Sequence, residues 1–323
     1  MSASVGGAVC VFAKCPIPGR SKTRIAPLLG EDGAASLATA MLSDILISLT
    51  SCVHLKETLK VLVYAPGSSE GEARMKSILQ SLNLSITSIC EGSSRGVFDG
   101  WILLPMASGA SKADLTSSSL GSKLEDALDK SRQLLAKVHE MVATQQTNEA
   151  VLFLGMDAPE IPLEEIVHGL QTSSKRNKAH MCPADDGGYG MLSVPRNAPS
   201  SRIFHGVRWS NKLTAVSQLK ALSDCNVDIS IGKMMNDVDE PDDVIRLAQR
   251  LICSRDSNQD DKSEGKDDVL ESLSSDIGSA IRDTDATKDC QYTWKALLDL
   301  NVITKSSGEA CLNNDRIAVE RWQ

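Results

Sequence analysis

The sequence predicts an α/β protein: a mostly parallel, mixed sheet flanked by helices, followed by a disordered acidic C-terminal extension. Three observations say so. Ala8-Val9-Cys10-Val11-Phe12-Ala13 is an unbroken apolar run of strand length, the pattern of a strand covered on both faces. A loop and an amphipathic helix follow it at once, and the strand-helix alternation then repeats along the chain. Residues 254–290 are rich in Asp, Ser and Lys and lack any period.

In order, Gly30 closes the first loop, and Glu31 and Asp32 open a helix. Its Ala34, Leu37, Ala38, Met41, Leu42, Ile45, Leu46 and Leu49 recur at helical spacing. Val61–Ala65 is a second strand, stopped by Pro66-Gly67, and a helix is expected from Gly71 to Leu82. Trp101–Leu104 is a third strand, and Ser108–Ser119 reads as a flexible Ser/Gly/Ala insertion. Leu120–Thr144 is a helix whose stripe runs through Leu124, Ala127, Leu134, Leu135, Val138 and Met141. Val151–Leu154 is the best buried strand after the first, and a helix follows from about Pro162 to Thr172. Ala179–Cys182 and Tyr189–Val194 flank Pro183–Gly188, as paired strands flank a tight turn. Ser210-Asn211 caps a helix running through Leu222, Val227–Ile231 is a strand, and Pro241 starts a helix ending near Ile252. Gln291–Asn301 forms a short terminal helix through Trp294, Leu297, Leu298 and Leu300, with no docking site that the sequence names. The expected division is a domain over 1–252 and an acidic linker with its helix over 253–323.

With 323 residues and 41% hydrophobic content the chain has ample material for a buried core. Its net charge of -8 is uneven: 15 Asp/Glu against 9 Lys/Arg after residue 252 give -6 there and only -2 before it. A nearly neutral body gives a nucleic-acid groove no support. The nine cysteines include no C-x-x-C pair and no Cys/His cluster of zinc spacing, which suits a reducing compartment. Cys15 lies in the cationic loop, where a thiol would be acidified. No apolar run approaches a membrane span and no basic n-region opens the chain, so a cytoplasmic protein without a membrane span is expected.

The chemistry concentrates in Lys14-Cys15-Pro16-Ile17-Pro18-Gly19-Arg20-Ser21-Lys22-Thr23-Arg24. Two prolines fix φ, Gly19 lets a ligand approach the backbone, and in an extended loop Arg20, Lys22 and Arg24 point the same way. With Lys14 they make a candidate phosphate site beyond the carboxyl end of a strand. The glycines fit neither G-x-G-x-x-G nor G-x-x-x-x-G-K-[ST], which disfavours a dehydrogenase-type fold and a P-loop. Three acidic places weigh against this loop: Asp157 after the central strand, Asp186 in the Pro183–Gly188 turn, and Asp237/Asp239 before Pro241. Carboxylates beside a diphosphate need a cation between them, and Mg²⁺ or Mn²⁺ meets that need. Each acid also has a plain reading, as a turn residue or a helix entry. Trp209 offers a stacking surface but reads equally as strand-edge packing, and His168 and His205 read as structural.

Phe12-Ala13-Lys14, Pro16, Pro18-Gly19, Lys22-Thr23-Arg24, Pro27, Leu29-Gly30, Gly155–Pro159, Pro183-Ala184, Asp186-Gly187-Gly188-Tyr189, Phe204, Val207, Trp209-Ser210 and Asp237-Val238-Asp239 occur in order across roughly residues 8 to 250. Together they resemble the radical-SAM/selenodomain-associated transferase family, a branch of the GT-A nucleotide-diphospho-sugar transferases. The resemblance implies a GT-A-like, Rossmann-like fold, a nucleotide over the first strand, and a divalent metal at the acid after the central strand. Position by position, Lys22 and Arg24 fall on the phosphate clamp and Asp157 on the metal acid. Asp186, Gly187, Gly188 and Tyr189 fall on the acceptor-side turn, with Trp209 beside it, and Asp237 and Asp239 on the late acidic motif. The chain departs from the family pattern at Met106, through Ser119–Leu124, and at Gly190.

The expected partners are a nucleotide or nucleotide-sugar donor and a small acceptor, with Mg²⁺ or Mn²⁺ as cofactor. In glycosyl transfer, metal, Lys22 and Arg24 stabilise a departing nucleoside diphosphate while Asp186 or Asp239 takes the acceptor's proton. In nucleotidyl transfer the same parts hold a triphosphate and release pyrophosphate, and the basic loop also resembles that of sugar-phosphate nucleotidyltransferases. The family description favours the first; a catalytically silent nucleotide-binding scaffold is the third reading.

Overall fold

The computed structural model describes residues 6–87, 98–106, 120–142, 149–260, 290–306, 309–313 and 317. Their contacts divide the chain into two interleaved units, one drawn from residues 1–15, 52–156 and 164–236 and the other from 16–51, 157–163 and 237–323.

The first unit contains a seven-stranded sheet. In chain order its strands are β1 (Ala8–Lys14), β2 (Leu59–Ala65), β3 (Trp101–Pro105), β4 (Val151–Gly155), β5 (Ala179–Pro183), β6 (Tyr189–Val194) and β7 (Ile229–Ile231). Their spatial order is β3-β2-β1-β4-β6-β5-β7. Only β6 runs antiparallel to its neighbours, β4 and β5; every other pairing is parallel. This is the mixed, mostly parallel, Rossmann-like sheet that the sequence predicts. β1, β2 and β4 are buried along almost their whole length, so their unbroken apolar runs follow from cover on both faces.

Helix α2 (Ser69–Ser81) starts on Ser68, whose side chain accepts from the Gly71 amide, and it carries Glu70 and Glu72 in its first turn, where the helix dipole favours acids. Helix α3 (Leu120–Val142) buries Leu124, Ala127, Leu128, Leu135 and Val138 in a core shared with Ala8, Cys10, Val61, Val151 and Phe153. Helix α4 (Leu163–Lys175) lays Gly169 against Leu152 and Met191, the short α5 (Ser200–Ile203) follows β6, and α6 (Thr214–Asp224) leads into β7. Phe12, Phe153 and Phe204 meet edge to face, with centroids 5.6 and 6.1 Å apart. Cys15 is buried here; desolvation pushes its thiol up, so the acidified thiolate expected of a cationic loop is not formed.

The second unit is built on α1 (Ala26–Ser51), with α7 (Pro241–Asp260), α8 (Gln291–Asp299) and the hairpin β8 (Ile303–Ser306) and β9 (Glu309–Leu312). Gly30, at φ 75° and ψ 166°, interrupts α1 where the sequence places the helix start. Leu37 and Met41 of α1, Leu247 and Leu251 of α7, and Leu297, Val302 and Ile303 share one core. The terminal helix is tied there by Asp44, which is buried on α1 and accepts from the Tyr292 and Thr293 amides at 3.0 and 2.7 Å. The α1 helix is long and apolar enough to cross a membrane by length and composition. Burial of 78% of its most apolar stretch inside the protein accounts for that character. Helix α7 runs eight residues beyond Ile252, to Asp260. Residues 254–260 of the linker expected over 254–290 are therefore helical, while the expected insertion at 108–119 and residues 261–289 of that linker lie outside the described residues.

Candidate active site

The cationic loop is compact rather than extended. The Ile17 carbonyl accepts from the Arg20 and Ser21 amides at 3.0 and 3.1 Å, and Ser21 Oγ bonds both polar groups of Ile17, at 3.1 Å to its amide and 3.2 Å to its carbonyl. Gly19 turns at φ 70°, and a Cβ there would lie 2.9 Å from Glu31 Oε2. Lys22 follows at φ 49°, a left-handed conformation that costs a non-glycine residue on the order of 1–3 kcal/mol. The consequence is that the three cations diverge. Arg20 and Arg24 stay at the surface, Arg24 facing Glu240 at 3.8 Å, while Lys22 turns inward with 9% of its side chain exposed.

Lys22 Nζ lies 3.0 Å from Asp157 Oδ2 and 2.6 Å from Asp239 Oδ1. Burial favours the neutral amine, but the two carboxylates outweigh it and hold the Lys22 pKa above its usual value. Asp239 reaches this point because the Val238 amide bonds the Asp157 carbonyl at 3.0 Å, laying the strand-like segment before α7 alongside residue 157. Asp243 then fixes the entry to α7: its Oδ2 accepts from the amides of Asp239 and Glu240 at 3.0 and 2.8 Å, and Arg246 pairs with Oδ1. The sequence reading missed Asp243. An acid three residues after the helix-capping Glu240 is half of a capping box and was there to be read. Asp237 lies in the same segment, partly buried.

The remaining expected residues belong to the first unit. Lys14 is exposed at the end of β1. Asp186 is exposed in the β5–β6 turn, where its Oδ1 accepts from the Gly188 amide at 2.6 Å, an Asx turn that its plain reading describes. Gly187, at φ 89°, packs so closely on the Lys212 backbone that no side chain fits. The Tyr189 hydroxyl is buried and donates to Gln218 Oε1 at 3.2 Å, and burial pushes its pKa up. Its ring meets Trp209 edge on at 6.4 Å, and the Trp209 indole nitrogen sits against Gly121 near the start of α3. Trp209 is thus packed and Tyr189 is bonded internally, while Asp186 Oδ2 has no partner among the described residues.

No curated protein matches the chain. A family model described as "Uncharacterized protein conserved in bacteria (DUF2064)" matches residues 97–211, less than half of it. Among solved structures, a protein of Desulfovibrio desulfuricans G20 provisionally named a nucleotide-diphospho-sugar transferase is similar, at 20% identity and TM-score 0.57, over 88% of this chain and 97% of that one. The mannosyltransferase PcManGT of Pyrobaculum calidifontis, solved with GDP-Man and Mn²⁺, matches at 11% identity and TM-score 0.39, over 99% of this chain and 80% of that one. A CMP:2-keto-3-deoxy-manno-octonic acid synthetase in complex with CTP matches at 10% identity and TM-score 0.41, over 76% and 97%. The chain therefore has the fold of the Desulfovibrio protein.

Proposed function

We propose that this chain is a divalent-cation-dependent transferase that takes its donor group from a nucleotide sugar. The observation that carries the reading is the placement of one cation, the Lys22 ammonium, between the carboxylates of Asp157 and Asp239. Side chains from three separate chain segments meet there, and the two carboxylates offer the hard oxygen donors that Mg²⁺ or Mn²⁺ takes. Asp157 and Asp239, with Asp237 in the same segment, are the residues that would hold the ion. When bound, it would neutralise charge growing on the departing diphosphate.

The protein's own groups supply the rest. Lys22 is a mobile-stemmed cation that charge-assisted hydrogen bonds can draw onto phosphate oxygens, and the exposed Arg20 and Arg24 add guanidinium donors at the same loop. Gly19 turns the loop beside them at φ 70°, against the Glu31 carboxylate. On the resemblance, the Asp186–Tyr189 turn takes the acceptor, and Asp186 Oδ2 is the basic atom for its proton. Assignment to the radical-SAM/selenodomain-associated branch rests on the same motifs.

The test is a thermal-shift panel of nucleoside diphosphates, triphosphates and nucleotide sugars with and without Mn²⁺, followed by phosphorus NMR of any turnover. Cation-dependent stabilisation by a nucleotide sugar and release of a nucleoside diphosphate are expected. Release of pyrophosphate from a triphosphate would make the chain a nucleotidyltransferase, and binding without turnover a scaffold; either would overturn the assignment.

A further inference from the structure

A second convergence of ligand-capable side chains lies in the first unit. Glu165 stands in the first turn of α4; His180 and Cys182 are two residues apart on β5, so the strand's period puts both on one face. His180 Nε2 is 3.0 Å from Glu165 Oε2, and Cys182 Sγ is 3.7 Å from that oxygen and 3.9 Å from Nε2. His180 and Cys182 are buried, and 14% of the Glu165 side chain is exposed.

Those three separations are the edges of a tetrahedral face. A point equidistant from the three atoms lies about 2.1 Å from each in their plane, and moving it to the centre of the tetrahedron gives bonds of about 2.2 Å. Zinc takes about 2.0–2.2 Å to nitrogen and oxygen and about 2.3 Å to sulfur. One side of the triangle is covered by Gly232, just past β7: a Cβ there would lie no farther than 2.7 Å from any of the three donor atoms. Only a residue without a side chain leaves the donors facing one another. A buried Glu–His hydrogen bond by itself would not need the thiol, which at 3.7 Å adds little to it.

We propose that Glu165, His180 and Cys182 bind one Zn²⁺, with water in the fourth position, and that the ion pins α4 to β5. The donor set of thiolate, imidazole and carboxylate suits this borderline ion rather than Mg²⁺ or Ca²⁺. The ion would take Cys182 as the thiolate and His180 through Nε2.

The full-length protein, stripped with a chelator and titrated with Co²⁺, gives the readout. Expected are one equivalent bound, the intense visible bands of tetrahedral cobalt, a thiolate-to-cobalt charge-transfer band, and displacement of all three by Zn²⁺. Cys182→Ser should lose the charge-transfer band, and Glu165→Gln should weaken binding by more than about tenfold. Cys253→Ser, at an exposed cysteine, should leave the spectrum unchanged. Circular dichroism checks the fold of each variant, and His180→Gln serves if Cys182→Ser does not fold. A weak octahedral spectrum, a charge-transfer band that survives Cys182→Ser, or cobalt binding of wild-type affinity in His180→Gln, overturns the proposal. The outcome is independent of whether the chain transfers a sugar.

Discussion

Replacing Lys22 by Met keeps the aliphatic stem and removes the charge between Asp157 and Asp239. At separations of 3.0 and 2.6 Å, and even at the dielectric of water, the two attractions are about 1.4 and 1.6 kcal/mol. Two effects reduce them. The ammonium, 9% exposed, has given up most of its hydration, and Asp239, 44% exposed, is screened by solvent. The net loss of stability is then about 1–3 kcal/mol, and Tm falls by roughly 2–4 °C for each. The sharper consequence concerns the cation. Lys22 holds the place between the two acids, so without it Mn²⁺ alone should bind more tightly, by about tenfold for each 1.4 kcal/mol of competition removed, while a nucleoside diphosphate binds more weakly. Calorimetric titration of Mn²⁺ into wild type and Lys22→Met measures the first effect. A double-mutant cycle with Asp157→Asn measures the pair. Unchanged or weaker Mn²⁺ binding in Lys22→Met, or a coupling below about 0.5 kcal/mol, refutes the reasoning.

Asp44→Ala removes the acceptor for two α8 amides and should cost about 1–3 kcal/mol, seen as faster hydrogen exchange across residues 291–299; protection equal to wild type would deny the cap its role. Gly232→Ala drives a Cβ against the three donor atoms and should lower stability by about 1–3 kcal/mol even in chelator, which a melt of the stripped protein checks. At Asp243, burial raises the pKa, but the Asp239 and Glu240 amides and Arg246 hold it below the ordinary 3.8. Its folded value lies under its unfolded one, so its contribution is complete above about 3.8 and is lost as pH falls through the folded value. Asp243→Asn should therefore flatten the acid limb of Tm against pH, and an acid limb as steep as wild type would contradict the assignment.

What was legible in the sequence was whatever a short stretch of chain decides by itself. β1 and β4 announce their burial because a strand covered on both faces must be apolar throughout, and the turn at Gly187 is a local steric fact. The cationic loop was recognisable by composition but not by shape. Its extended reading assumed that alternation in sequence means a common direction. Ser21 instead folds the chain back on Ile17 and sets Lys22 at a positive φ, where alternation no longer holds. Likewise the docking of α8 depends on Asp44, almost 250 residues upstream, an acid that nothing near it in the chain marks as a cap.

The two candidate sites show why convergence is harder to read than motif. Asp157, Asp239 and Lys22 each have an ordinary local explanation, and the Val238 amide on the Asp157 carbonyl, with Lys22 bonded to both acids, brings the late acidic segment to the central one. Spacing rules search for ligands close together in sequence, so a triad of Glu165, His180 and Cys182 escapes them, although His180-x-Cys182 on a strand already aims two donors one way. The more telling residue is Gly232. A glycine one position past a strand looks like a turn, and only the three donor atoms facing it explain the absence of a side chain. If the space in front of Gly232 were merely a packing accident, alanine there would be absorbed by a small shift of one side chain. With a carboxylate, an imidazole and a thiol on three sides, none can yield without pressing on another, so the cost of alanine measures how tightly the fold holds these donors together.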